Sequence, residues 1–295
     1  MITKAWRWFF LRTRGDSPFK LLVINLILIF ACVVAVYPIL RVFSVSIRPG
    51  DRLLSTSLSI IPPDWSWGNY IRLLTERDFF LWLWNSIVIT LSTATAGVIL
   101  AATSAYAFSR WKFPGRAPGL IFLLTTQMIP ANMLLIPIYL MFVDLSRRTG
   151  VPLVNSWLGL IIAYSVGAVP FSIWILKGYY DTIPIDLEEA AKIDGAGVVE
   201  AFLRVILPLS TPALAIVFLF NFMSSWSEYI MARIILNQPQ MFTWPLGFQR
   251  LQGQFQTEWG MFAAASILVA LPVMALFMYS SKWLISGLTL GSVKG

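Results

Sequence analysis

The chain has 295 residues, 58% of them hydrophobic and 12% charged, with a mean hydropathy of +0.74; soluble domains carry about a quarter charged residues, so an ordinary soluble domain is excluded and an integral membrane protein expected. The net charge of +8 and pI near 9.8 come from basic residues at the ends of apolar runs, with no basic stripe of interleaved aromatics, so nucleic acid is excluded as a partner. There is no histidine and one cysteine, Cys32 in the first apolar run, which removes histidine-based metal sites, Ser-His-Asp and Cys-His chemistry and an internal disulfide.

Six spans are predicted, at about 21–40, 83–108, 117–143, 156–176, 212–236 and 259–284. Each is long enough to cross a hydrocarbon core of about 30 Å at ~1.5 Å per residue. Lipid cannot satisfy free backbone groups, so the spans must be helices and the fold is all-α. The first run lacks a small-x-small cleavage site and is followed by Arg41, so it reads as an uncleaved span.

Orientation follows from lysine and arginine near the span ends. Residues 1–20 carry Lys4, Arg7, Arg12, Arg14 and Lys20; the connection SRWKFPGRAP carries Arg110, Lys112 and Arg116; the fourth connection carries Lys177, Lys192 and Arg204. Lys282 and Lys294 flank the last span. With six spans all of these fall on one side, which is expected to be cytoplasmic, along with both termini. The opposite side also holds arginines, among them Arg48, Arg72 and Arg147, partly offset by acids.

Pro130, Pro137, Pro170 and Pro272 interrupt the third, fourth and sixth spans, as kinks or as devices that widen a central path. Two non-cytoplasmic loops are long: Ser44–Trp82, with IIPPDWSWGNYIRLL, and Asn237–Glu258, rich in Gln and Trp. Their aromatic residues fit an interfacial belt. The second loop is long enough to touch a partner outside the membrane.

The segment between the fourth and fifth spans differs from everything around it. It reads KGYYDTIPIDLEEAAKIDGAGVVEAFLRVILPLSTP from Lys177 to Pro212. Asp186 is expected to cap a helix, with Glu189 three residues on as in a capping box. Glu188 and Lys192 are spaced for an i,i+4 pair worth about 0.3 kcal/mol. Leu187, Ala190, Ala191 and Asp194 share one flat face, Gly195 fits a left-handed C-terminal cap, and Pro208 is expected to end a second short helix. A face of alanines flanked by acids cannot sit in lipid and is shaped for close docking against another protein.

These residues carry a resemblance. Glu189, Ala190 and Ala191, then Gly195, then Val205, Leu207 and Pro208 match the pattern EAA, three residues, G, nine residues, I-x-L-P of ABC-importer permease subunits, with Val in place of Ile. The chain resembles the MalG-type permeases of carbohydrate ABC importers over most of its length. Supporting stretches are LWNSI (Leu83–Ile87), AYAFSRWKFPG (Ala105–Gly115), KGYYDTIP (Lys177–Pro184) and GLTLGSVKG (Gly287–Gly295).

The resemblance implies the six-helix type I importer permease fold, with a cytoplasmic coupling helix within a loop at 177–211. It implies that Glu188, Glu189, Ala190, Ala191, Asp194, Gly195, Leu207 and Pro208 form or support the element that docks on an ATPase. It implies that Gly291, Ser292, Val293, Lys294 and Gly295, in a tail at 285–295, reach into the ATPase dimer. The implied partners are a second, MalF-like permease subunit, a homodimeric MalK-like ATPase, an extracytoplasmic sugar-binding protein that the 237–258 loop would touch, a carbohydrate and the bilayer of the cell membrane. No GxxxxGK[ST] sequence is present, so ATP and Mg are expected on the separate ATPase, and this chain is expected to be a non-catalytic permease that binds no cofactor or metal.

Sugars are held by aromatic faces, amides and carboxylates, which makes Gln127, Asn132, Tyr164, Asn221, Trp226 and Glu228 candidates for the transport path. Glu228 and Arg233 are functional candidates because they are ionisable within a span; toward its outer end, snorkelling or mutual pairing is the alternative to substrate contact. The expected cargo is a maltose-, maltodextrin- or trehalose-like sugar. The alternatives are a glycerol 3-phosphate or polyol permease of the same superfamily, or an ion-driven secondary transporter. The last would want buried ionisable relays or inverted repeats, and neither is evident.

Overall fold

The computed structural model describes residues 17–49, 61–252 and 257–290. The described residues fall into two compact units, one within 1–75 and 253–267 and the other within 76–252 and 268–295, and the last helix is divided between them.

In the first unit, α1 (Pro18–Ser46) starts at Ser17, whose Oγ accepts from the Lys20 N–H at 3.3 Å. Pro18 occupies the first turn, where its missing N–H costs nothing. The helix is apolar on all sides, and among the described residues none buries its hydrophobic stretch. α2 (Gly68–Glu76) places Asn69 beneath the C-terminal end of α1. The Asn69 amide donates to the carbonyls of Ser46 and Arg48 at 3.0 and 2.9 Å, satisfying acceptors that the helix leaves open. A Cβ on Gly260, in the first turn of α12 (Trp259–Leu290), would lie 2.4 Å from Asn69 Nδ2, so only glycine fits there. Arg72 and Glu258 form an ion pair at 2.7 Å.

The second unit is built on α3 (Phe79–Arg110), α6 (Trp157–Tyr180) and α9 (Thr211–Trp226). Ala94, Gly97, Ala101, Ala102 and Ala105 of α3 are buried. Such small residues let backbones approach closely, which replaces the hydrophobic drive that lipid does not supply. Gly97 faces the Asn221 amide, and Ser172 Oγ donates to Asn221 Oδ1 at 3.1 Å, so three helices are tied at one level. Ala101, Ala105, Ile173, Leu176 and Val217 continue the core toward Tyr106 and Tyr180.

Two expected spans are not continuous helices. Residues 117–143 form α4 (Arg116–Thr126) and α5 (Ala131–Thr149), bent by 100°. Pro130 explains the break: it has no N–H to continue the ladder, and a proline disfavours the helical region for the residue before it. Residues 212–236 divide into α9, which stops at Trp226, and α10 (Ile230–Ile235). Four helices are long and apolar enough to cross a membrane, or up to six if each of two bent pairs is one span: α4 with α5, and the helical stretch Val198–Leu209 with α9, which meet at 78°. The last helix runs to Leu290, past the expected end of the sixth span at 284.

Candidate functional site

The charged insert folds as α7 (Asp186–Ile193) and α8 (Val198–Leu209). The expected capping box does not form: Asp186 is the first helical residue, and Ile185 precedes it with no side-chain cap. Three acids, Asp186, Glu188 and Glu189, still crowd the first turn, where the helix dipole favours them. The C-terminus ends as expected. Gly195 has φ +90°, its N–H donates to Lys192 O at 3.0 Å, and the Ala196 N–H donates to Ala191 O at 2.9 Å, a Schellman motif.

Glu188 does not pair with Lys192. It turns inward, is 3% exposed, and forms an ion pair with Arg110 Nε at the end of α3. Its other oxygen accepts from the Tyr106 hydroxyl at 2.7 Å, and Arg110 also donates to Ile183 O at 3.0 Å. Tyr106 packs on Phe202 of α8 with ring centroids 4.7 Å apart. The end of α3 thus holds both insert helices, one through an ion pair and one through a ring contact.

Glu189, Ala190, Asp194 and Gly195 are exposed, and Ile193 is 87% exposed. Ala191 is half-buried. Leu207 packs against the core cluster below, while Pro208 is exposed on the last turn of α8. Pro208 does not end that helix at once. The preceding Phe202–Ile206 widens into a π segment, which relieves the clash between the proline ring and the carbonyl of Arg204.

Beside this element, Asp181 accepts from Lys177 Nζ at 2.6 Å and Ser109 Oγ at 2.7 Å, joining the ends of α6 and α3. Partial burial would raise the Asp181 carboxyl, but these two bonds and the nearby positive charges outweigh it and hold it below the usual carboxylate range.

A cavity of about 800 Å³ lies between α4, α5, α6 and α9. Gln127 and Asn132 reach it because the chain bends between α4 and α5; Tyr164, Asn221 and Glu228 line the opposite wall. The Tyr164 hydroxyl donates to Glu228 Oε2 at 2.7 Å. Glu228 also accepts from the N–H groups of Met231 and Ala232 at 2.8 and 3.1 Å, so it caps α10 rather than pairing with Arg233. Trp226 is not in the cavity wall. It is buried, stacked on Phe222 at 5.3 Å and against Trp244 at 6.2 Å. Among the described residues no group of three His, Cys, Asp or Glu side chains gathers as a metal site.

The 237–252 segment is folded rather than loose. The Asn85 amide donates to Gln240 O and Phe242 O at 2.8 and 3.0 Å, and Ser86 Oγ accepts from the Trp244 N–H at 2.8 Å. α11 (Trp244–Gln249) seats Gly247 on the Trp82 ring. Asn155, at φ +54°, accepts from the N–H groups of Asn237 and Gln238 at 3.0 Å each and fixes where the segment begins.

Sequence reasoning missed Tyr106 and Arg110 as parts of this site. Arg110 was visible as an orientation charge and within the AYAFSRWKFPG stretch, but no local spacing links it to an acid 78 residues away.

The chain is 37% identical over 293 residues to the maltose/maltodextrin transport system permease protein MalG of Salmonella typhimurium, covering 95% of this chain and 98% of that protein. It is 36% identical over 280 residues to the galactooligosaccharides transport system permease protein GanQ of Bacillus subtilis, covering 94% and 96%. Among solved structures, a chain of a bacterial ABC transporter involved in the import of the acidic polysaccharide alginate superposes with a TM-score of 0.76 at 25% identity, over 92% of this chain and 98% of that one. A chain of the MetNI methionine ABC transporter, at 16% identity and a TM-score of 0.54, shares the fold. Residues 94–289, which hold α7, its anchor on α3 and the cavity, match the binding-protein-dependent transport system inner membrane component, and the chain belongs to that family.

Proposed function

We propose that this chain is a membrane subunit of an ATP-driven importer of a maltodextrin-, maltose- or trehalose-like sugar. It forms half of the translocation path beside a second, MalF-like subunit. It lies in the cell membrane with both termini cytoplasmic, and an extracytoplasmic binding protein delivers the cargo. The curated relatives support the cargo class: their names place them in maltodextrin and galactooligosaccharide transport. With no GxxxxGK[ST] sequence in this chain, ATP and Mg are assigned to a separate, dimeric, MalK-like ATPase.

The observation that carries this reading is the division of labour between adjacent acids. Glu188 points inward and anchors α7, while Glu189, Ala190, Asp194 and Gly195 face outward. That outward surface is what the ATPase engages, and alternating access follows as ATP-driven closure moves α7. Substitution Glu189→Lys is expected to abolish sugar uptake with the protein still in the membrane at normal level. Normal uptake by that variant would remove the docking role.

Residues 291–295 lie outside the described structure. Their proposed role is contact with the ATPase dimer. Deleting Gly291–Gly295 is expected to lower sugar moved per ATP hydrolysed in membrane vesicles; an unchanged ratio would dismiss the tail.

The cavity is proposed as part of the path, with Gln127, Asn132, Tyr164, Asn221 and Glu228 on its wall. No lysine or arginine lines it, which weighs against a phosphorylated cargo such as glycerol 3-phosphate.

A further inference from the structure

At the foot of α3 and α6 lies a second cavity, of about 690 Å³, that the transport reading does not use. Lys112 of the α3–α4 turn, Arg116 at the start of α4 and Lys177 of α6 all line it. Phe113, Gly115, Ala117, Pro118 and Leu120 form the rest of its wall. The charges do not cancel. Lys177 is held by Asp181, and Arg116 donates to Ser109 O at 3.2 Å, which neutralises nothing. Lys112 forms no ion pair among the described residues. Three cations thus face one acid at this pocket.

The place matters as much as the charge. α3 and α6 are two of the helices long and apolar enough to cross a membrane, and the pocket sits where both end; with both helices spanning, that end falls at the level of lipid headgroups. Basic residues at span ends are ordinary when they point separately into water. Here residues from two helix ends converge on one pocket that is also walled by apolar side chains. A free anion would have no use for that wall; a headgroup with chains attached would.

We propose that this pocket binds the phosphate headgroup of an anionic phospholipid, with Lys112, Arg116 and Lys177 around the phosphate and Phe113 and Leu120 against the first part of the acyl chains. The site anchors the turn between α3 and α4 next to the Ser109–Asp181–Lys177 bonds, so a bound lipid braces the end of α3 that carries Arg110 and α7. The inference rests on α3 and α6 crossing the bilayer, not on the sugar or the ATPase.

The test is native mass spectrometry of the full-length chain, with any subunits that accompany it in mild detergent, titrated with phosphatidylglycerol, phosphatidylcholine or inorganic phosphate. Because Lys177 also holds Asp181, the primary variant is Lys112→Gln with Arg116→Gln, which leaves that pair intact. Each surface cation near an anionic lipid is worth about a five-fold change in affinity, so the double variant is expected to bind phosphatidylglycerol about 30-fold more weakly. Lys282→Gln, at a lysine packed over Tyr279 and Trp283, is the control and is expected to change little. Three results would overturn the proposal: equal loss in the control, which means diffuse attraction; equal binding of phosphatidylcholine; or full displacement by inorganic phosphate, which makes the ligand a free anion. None of them bears on transport, since no cargo or nucleotide is in the assay.

Discussion

Replacing Glu188 by Gln is expected to destabilise the second unit by about 3–5 kcal/mol, the usual cost of removing one partner of a buried ion pair. The amide keeps the size of the side chain and can still accept from Tyr106. The charge is lost, and Arg110 is left buried beside a neutral group. The penalty therefore comes from the stranded guanidinium, and not from an emptied volume. Thermal unfolding of the purified chain measures it. The exchange Glu188→Arg with Arg110→Glu should recover part of the loss, whereas a steric role predicts that the exchange is worse than either single change. Uptake separates this residue from its neighbour. Glu189→Lys should leave stability near normal and stop transport, because its side chain is exposed; Glu188→Gln should lower both. Equal stability of wild type and Glu188→Gln would mean that α7 is not held by this pair.

Gly247→Ala is expected to be the most damaging single-methyl insertion in the 237–252 segment. A Cβ at that position would lie 2.1 Å from the Trp82 ring, which is 1% exposed and has no room to retreat. Overpacking of this kind costs about 1–3 kcal/mol and sometimes more. The strain falls on the junction that holds the segment to α3, together with the Asn85 and Ser86 bonds. Limited proteolysis should cut the variant within the segment at a protease concentration that spares the wild type. Unaltered protection would show that α11 does not need its seat on Trp82.

Much of the fold was legible because lipid imposes strong rules. Runs of apolar residues near twenty long can only be helices. Gly195 could be read as a left-handed cap from its place after EEAAKID, and its φ of +90° agrees. The breaks were harder. Pro130 was visible, but a proline marks either a mild kink or a full interruption, and the 100° bend depends on what packs on each side. The break after Trp226 carries no proline. It forms because the Glu228 carboxylate finds two backbone N–H groups and the Tyr164 hydroxyl, and Tyr164 is 64 residues away in sequence.

The site divides the same way. The sequence by itself determined that the chain crosses a membrane, that it lacks histidine chemistry and a Walker A sequence, and that an acid-flanked alanine helix with a glycine stop interrupts the apolar runs. Composition and short spacing decide these, because transfer free energy and helix caps are local. Only the tertiary structure decided which of two adjacent acids is buried. Along the helix Glu188 and Glu189 differ by a turn of about 100°, and the choice between them rests on Arg110 and Tyr106 waiting at the end of α3. A buried charge needs a partner, and no rule of spacing along the chain can name one that folding brings from another helix.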